Sequence, residues 1–122
     1  MGQAKREGSV VKSAYIPDRG DCVWVNFDPV SGHEQKGRRP AFVVSPKNYN
    51  EKSGLALVCP ITSKIKGYPF EAVCKGRKII GAVLADQLKS IDWRSRKIIF
   101  IERAREETTR EIQEKIGLLI SG

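Results

Sequence analysis

The sequence predicts a mainly β protein, a small, partly open β-barrel with short helices and one C-terminal helix. Apolar residues alternate with a period of two in several short segments bounded by Gly and Pro, and the period changes to that of a helix near the end. The length of 122 residues suits a single core, because a chain of this size buries roughly two-thirds of its unfolded surface. Exposed edges would be a liability in so small a sheet, which favours a barrel.

The first predicted strand covers residues 22–27 and follows a folded start near Pro17. Its two faces both carry apolar side chains: Val23, Val25 and Phe27 on one face, and Cys22 and Trp24 beside Asn26 on the other. A strand that is apolar on both faces is buried on both sides. We therefore expect this strand at the centre of the sheet.

The charged, Gly-containing stretch 28–39 then interrupts the alternation and indicates a loop. Loops of about a dozen residues are uncommon in small domains and tend to be functional. Further strands are predicted at 41–45, 55–61, 70–74, 81–84 and 97–101, with a polar turn at 48–50 and a mobile basic turn at 63–67.

The last segment, 106–120, has the pattern of an amphipathic helix. Its apolar residues Ile112, Ile116, Leu119 and Ile120 stand at i, i+4, i+7 and i+8, which places them on one stripe. Acidic residues at its start suit the positive end of the helix dipole. We expect this stripe to cover the sheet.

The net charge of +8, from 22 Lys and Arg against 14 Asp and Glu, favours a polyanionic partner such as nucleic acid, an acidic membrane or an acidic protein. No apolar run approaches the roughly 18 to 20 residues of a membrane span, and the start lacks the apolar region of a signal peptide. The expected location is therefore cytoplasmic, without membrane contact. Residues 1–14 are expected to form a flexible basic arm and 15–122 a single domain.

Several chemistries lack the residues they need. His33 is the only histidine, which excludes a ribonuclease with two catalytic histidines. Cys22, Cys59 and Cys74 are too widely spaced for a metal or redox pair and are expected to be small buried hydrophobes. No metal-ligand cluster, Gly-rich nucleotide loop or serine nucleophile motif is present, so we expect neither metal nor cofactor.

The remaining polar residues suit a phosphodiester. RNA can be cleaved through attack by its own 2′-hydroxyl, which needs a proton acceptor, a proton donor and donors to the phosphorane oxygens. On residue chemistry Glu34 is the better base, Arg39 suits charge stabilisation or proton donation, and Thr62 can donate one hydrogen bond. Each also has a structural interpretation, since Arg39 could end a strand, Thr62 could bond within a turn and Glu34 could be a solvated charge.

These residues stand in segments that resemble the MazF/PemK toxin family. The similar strings are G-D-C-V-W-V-N-F-D-P at 20–29, S-G-H-E-Q-K-G-R-R-P-A-F-V-V-S-P at 31–46, C-P-I-T-S at 59–63, K-G-Y-P-F-E at 66–71 and L-A-D-Q-L-K-S-I-D-W-R-S-R at 84–96. They follow one another in unbroken order from about Tyr15 to the last helix.

The resemblance implies an SH3-like barrel of the plasmid-maintenance-toxin (CcdB/PemK-like) type that forms a homodimer. It implies a sequence-specific, metal-independent endoribonuclease that cuts single-stranded RNA to 2′,3′-cyclic phosphate and 5′-hydroxyl ends, inhibits translation and growth, and is restrained by a cognate acidic antitoxin. Arg39 and Thr62 match the family's catalytic residues, and Glu34 and Gln35 match its E-Q pair. The division of acid and base roles between Arg39 and Glu34 stays open.

RNA-binding residues are expected around these positions, because single-stranded RNA is held by phosphate contacts, stacking and base-edge hydrogen bonds. They are Gln35, Lys36, Arg38, Lys64, Lys66, Tyr68, Gln87 and Lys89. Trp24 and Trp93 are expected in the core or a dimer interface. Two other functions stay open: a non-enzymatic toxin of the same fold that poisons a protein such as DNA gyrase, and a basic RNA-binding barrel without activity.

Overall fold

The computed structural model describes residues 15–27 and 37–122. Its elements are β1 (Asp21–Asn26), β2 (Arg38–Val43), α1 (Lys47–Ser53), β3 (Leu55–Thr62), β4 (Glu71–Lys75), β5 (Ile80–Leu84), a 3₁₀ turn (Ala85–Gln87), β6 (Lys89–Asp92), β7 (Ile99–Arg103) and α2 (Glu106–Ser121). The predicted mainly β class with a C-terminal helix is confirmed. The predicted arm at 1–14 and most of the predicted loop at 28–39 lie outside the described residues.

The strands form one antiparallel sheet that bends around β3. Along the sheet the order is β4, β5, β3, β2, β1 and β7. On the edge of β3 that faces away from β2, residues 55–58 pair with β6 and the last two residues pair with β5. One long strand thus belongs to two differently directed parts of the sheet, and the result is the partly open barrel that the alternation predicted.

Each face of the sheet packs into its own core. The core under α2 includes Cys22, Phe42 and Ile112, and the opposite core includes Val23 and Val25. The alternation along β1 therefore sends successive side chains into different cores, as its two apolar faces predicted. Trp24 packs against the first core and Trp93 belongs to the second.

The polar segment after β2 was predicted as a turn, and this prediction is wrong. It forms α1, which ends at Gly54 in the left-handed conformation (φ 74°). The reason is Asn50, whose fully buried amide donates to the carbonyls of Pro17 (2.8 Å) and Ser45 (3.0 Å) and accepts from the Ser45 hydroxyl. The Trp93 indole donates to the Asn50 carbonyl at 2.8 Å. Long-range partners, invisible in local sequence, thus stabilise a short polar helix.

The sheet is joined across its open side by Glu102 on β7. Its carboxylate accepts backbone hydrogen bonds from Arg77, Lys78 and Ile79 in the turn between β4 and β5, at 2.8 to 3.0 Å. Gly76 leaves room, since a Cβ there would lie 2.1 Å from a Glu102 oxygen. Burial raises the pKa of Glu102, but the three backbone donors outweigh it and the pKa lies below its usual value.

The predicted C-terminal helix is confirmed, but its apolar stripe is only partly buried. Ile112 and Ile116 enter the core, whereas Leu119 and Ile120 are 43% and 77% exposed. Among the described helices, none is long and apolar enough to cross a membrane.

Candidate nucleic-acid interface

Two adjoining pockets, of about 750 Å³ and 400 Å³, form one open depression that we call the basic groove. They share Thr62, Lys64, Leu84 and Gln87. The larger pocket adds Phe27, Arg38, Arg39, Pro40, Pro60, Ile61, Ser63 and Lys89, and the smaller adds Lys66, Tyr68, Pro69, Phe70, Glu71 and Asp86. Five of these described residues are basic and two are acidic, so the groove attracts anions.

Arg39 and Thr62 lie on neighbouring strands at the floor of the larger pocket. In the register between β2 and β3, Ala41 is opposite Pro60. The observed pairing ends there, and extending the same register by two residues brings Arg39 level with Thr62; both residues line the larger pocket. Directly opposed residues in antiparallel strands have Cβ atoms roughly 5 Å apart. A guanidinium and a hydroxyl can therefore reach one phosphate group together.

The position of Thr62 is determined by contacts of its backbone and side chain. Thr62 pairs with Ala82 on β5. The residue before Ala82, Gly81, packs so closely that a Cβ there would lie 2.4 Å from the Thr62 carbonyl oxygen. The Thr62 Oγ1 accepts a hydrogen bond from the backbone N–H of Lys64 at 3.1 Å. Because this bond uses a lone pair of Oγ1, the hydroxyl proton stays available to a ligand.

The segment 63–70, predicted as a basic turn over its first part, forms the outer wall of the smaller pocket. The buried carboxylate of Glu71 accepts the backbone N–H groups of Lys66 (3.0 Å) and Gly67 (2.9 Å). From α2, Lys115 donates to the Pro69 carbonyl at 2.6 Å. These bonds orient Tyr68, which is 59% exposed and offers a ring to a base.

Two further cations of the groove contact aromatic rings. The Arg38 guanidinium lies 4.7 Å from the Trp24 ring centroid, and the Lys89 ammonium lies 5.2 Å from that of Phe27. Cation–π contacts restrain long side chains that would otherwise be free. Arg38 and Lys89 thus present their charges at defined positions along the larger pocket.

The sequence predicted most of this lining. Every predicted site residue that the structure describes lines the groove: Arg38, Arg39, Thr62, Lys64, Lys66, Tyr68, Gln87 and Lys89. Glu34, Gln35 and Lys36 lie outside the described residues. Sequence reasoning missed Phe27, Glu71, Asp86 and Gly81. Their roles depend on packing between distant segments, although the sequence K-G-Y-P-F-E gave a local signal for Glu71.

The structure thus defines a small β protein, a half-open barrel with a basic groove in which an arginine and a threonine line one pocket. The chain matches the model of the PemK-like, MazF-like toxins of type II toxin-antitoxin systems over residues 18–120. It is 49% identical over 108 residues to the endoribonuclease toxin MazF of Escherichia coli strain K12, covering 88% of this chain and 97% of that protein.

Solved structures agree. The crystal structure of MazF from Deinococcus radiodurans is 47% identical with a TM-score of 0.78, covering 88% of this chain and 99% of that one. In the MazE–MazF crystal structure from the same organism the similar chain is 42% identical, again with a TM-score of 0.78, over 88% of this chain and 97% of that one. The chain belongs to the PemK-like, MazF-like toxin family.

Proposed function

We propose that this chain is a sequence-specific endoribonuclease toxin that cleaves single-stranded RNA, inhibiting translation and growth. The observation that carries the proposal is that Arg39 and Thr62 line the same pocket of the basic groove. It is supported by the identity to the endoribonuclease toxin MazF. Residues 15–122 form the toxin domain, and the protein acts in the cytoplasm without metal or cofactor.

In the proposed reaction the 2′-oxygen of the substrate attacks the adjacent phosphorus, and the bond to the 5′-oxygen breaks. The products are a 2′,3′-cyclic phosphate and a 5′-hydroxyl. The Arg39 guanidinium donates hydrogen bonds to the phosphorane oxygens, where negative charge develops, and the Thr62 hydroxyl donates a further one. Such positioned donors stabilise the transition state more than the ground state.

Glu34 and Arg39 are the two candidates for the group that removes the 2′-hydroxyl proton. A guanidinium is a poor acceptor at neutral pH, whereas a carboxylate is a suitable one. If Glu34 is the acceptor, Glu34→Gln lowers kcat and removes the acidic limb of the pH–rate profile. If Arg39 is the acceptor, that limb persists in Glu34→Gln.

The walls of the groove hold the RNA on either side of the cut. Four basic residues that line it contact phosphates: Arg38, Lys64, Lys66 and Lys89. Lys36, outside the described residues, is proposed to do the same. Tyr68 stacks on an unpaired base, and Gln87, like Gln35, reads a base edge. Because base-edge contacts carry the sequence information, Gln87→Ala is expected to relax the recognition sequence rather than abolish cleavage.

The same groove is the proposed target of inhibition. A cognate acidic antitoxin, with a segment that folds on binding, places its carboxylates where RNA phosphates bind. The MazE–MazF crystal structures of Deinococcus radiodurans support a protein partner of this kind. We further propose that the toxin is a homodimer.

The test is cleavage of a defined single-stranded RNA in EDTA by the wild type, Arg39→Ala and Thr62→Ala. Loss of one positioned donor is expected to lower kcat by about 10²- to 10³-fold. Arg110→Ala and Thr109→Ala on α2, outside the groove, are the matched controls and should retain activity. Intact RNA with the wild type, or equal cleavage by all five proteins, would contradict the proposal and favour a toxin that only binds its target.

A further inference from the structure

A separate pocket of about 330 Å³ is lined by the turn after β4, the end of β7 and the start of α2, and we call it the α2 pocket. It shares no residue with either pocket of the basic groove. Four basic residues and one acidic residue line it: Lys75, Arg77, Arg103, Arg105 and Glu102. This excess of positive charge lies outside the groove and plays no part in the proposed reaction.

Two of these five charges are already engaged within the protein. The Arg103 guanidinium pairs with the Asp21 carboxylate at 3.0 Å. The Glu102 carboxylate accepts three backbone hydrogen bonds from residues 77–79. The other three make no side-chain hydrogen bond or ion pair with any described residue: Lys75, Arg77 and Arg105. Three cations of the α2 pocket are therefore available to an anion from solution.

Thr108, in the first turn of α2, is the most specific feature of the α2 pocket. It lines the pocket, it is only 8% exposed, and its hydroxyl makes no hydrogen bond with any described residue. Thr108 continues the buried face of Ile112 and Ile116, a position at which an apolar side chain would satisfy the packing. Buried hydroxyl groups in proteins nearly always have a hydrogen-bond partner. A ligand in the α2 pocket would supply that partner.

The N-terminal end of α2 faces the same pocket, since Arg105 and Thr108 both line it. Arg105 is the N-cap residue, but its side chain does not cap the helix, and the backbone N–H of Thr109 is bonded to the Arg105 carbonyl at 3.1 Å. A helix does not itself satisfy its first N–H groups, and these groups and the helix dipole favour an anion. The acidic residues of the first turn line neighbouring pockets instead: Glu106 and Glu107.

We propose that the α2 pocket binds a phosphate group. The oxygens of a phosphate accept several hydrogen bonds at once, and the pocket offers donors of three kinds. These are the Thr108 hydroxyl, the first N–H groups of α2, and the guanidinium groups of Arg77 and Arg105. Bound phosphate would thus satisfy the buried hydroxyl and neutralise the cations together.

The phosphate is either the free ion or the ester of a small organic molecule such as a nucleotide. An adjoining pocket shares three residues with the α2 pocket and adds the apolar side chains of Ile65 and Val73, which are 45% and 39% exposed. The organic part of an ester would lie on this apolar surface. The adjoining pocket carries as many acidic as basic residues, so it offers a poor path for an RNA backbone from the basic groove.

The test is a two-dimensional amide NMR titration of the full chain with inorganic phosphate and, in parallel, with adenosine 5′-monophosphate. The amide signals of 106–108 report the α2 pocket, and those of Lys64 and Lys66 report the basic groove. Both ligands should shift the signals of 106–108. Thr108→Val keeps the shape of the side chain but removes the hydroxyl, and it should raise the Kd at this pocket about tenfold. Arg77→Ala should raise it several-fold.

Arg110→Ala is the matched control, because Arg110 is a cation of α2 that lines a different pocket, and its Kd should equal that of the wild type. Tighter binding of adenosine 5′-monophosphate than of phosphate, with the advantage lost in Val73→Thr, would identify an organic phosphate as the ligand. Equal affinities would identify the free ion. Unshifted signals of 106–108, or the same Kd for Thr108→Val and the wild type, would overturn the proposal.

Discussion

Gly81 on β5 allows a prediction that connects packing to activity. In Gly81→Ala the new Cβ would lie 2.4 Å from the Thr62 carbonyl oxygen and 3.0 Å from Cγ2 of Ile61, whereas ordinary contacts begin near 3.4 Å. The Thr62 backbone must therefore move by about 1 Å. If Thr62 takes part in the reaction as proposed, a displacement of this size should cost roughly 100-fold in rate. The same overpacking should also lower the free energy of unfolding by about 1 to 3 kcal/mol.

The assay is steady-state cleavage of a defined RNA, with urea denaturation of the same preparations. Gly117→Ala on α2 is the matched control, because nothing lies within 4 Å of a Cβ there. We expect Gly81→Ala to remain folded with kcat lowered by about two orders of magnitude, and Gly117→Ala to keep its activity. If folded Gly81→Ala cleaves RNA as fast as Gly117→Ala, the position of Thr62 does not govern the reaction.

Three further predictions concern the supports of the fold and groove. Asn50→Ala should lower the free energy of unfolding, measured by urea denaturation, by about 3 kcal/mol, because it removes three side-chain hydrogen bonds worth about 1 kcal/mol each. The control Asn48→Ala, at an exposed position, should change it by under about 0.5 kcal/mol. Glu102→Gln should be less stable than the wild type at neutral pH. Because the Glu102 pKa is lowered in the folded protein, the carboxylate contributes stability above the unfolded value of 4.5 and loses it as the pH falls through the folded pKa. The difference in unfolding free energy between wild type and Glu102→Gln should therefore shrink below pH 4.5. An unchanged difference at about pH 3 would contradict the assignment. Lys115→Ala should raise KM about fivefold with kcat nearly unchanged, since it releases the Pro69 carbonyl; a loss in kcat alone would refute a role in holding the groove wall.

The fold was predictable where the pattern is local. Alternation along β1 and the helical period of α2 identified both elements and the faces they bury. The pattern could not identify α1, because Asn50 is buried by partners that are 33 and 43 residues away. The short β6 was missed for a similar reason, since its pairing with β3 depends on where β3 bends.

The site was predictable as a set of residues but not as an arrangement. Arg39 and Thr62 follow from phosphodiester chemistry and from the resemblance to a family. Their meeting in one pocket depends on the register of β2 and β3, and a one-residue shift would turn each side chain to the other face of the sheet. The contributions of Gly81 and Glu71 arise from close approach and from backbone donors, neither of which alters the hydrophobic pattern.

The pairing of β1 with β7 has a consequence for how the protein is made. Asp21 pairs with Arg103, 82 residues further along the chain, and α2 covers a core to which β1 contributes Cys22. During synthesis β1 lacks this neighbour until β7 has emerged, and contacts of such long sequence separation form slowly. The core under α2 is therefore completed only after the intervening strands have been made, so β1 must stay unpaired on that edge while they fold.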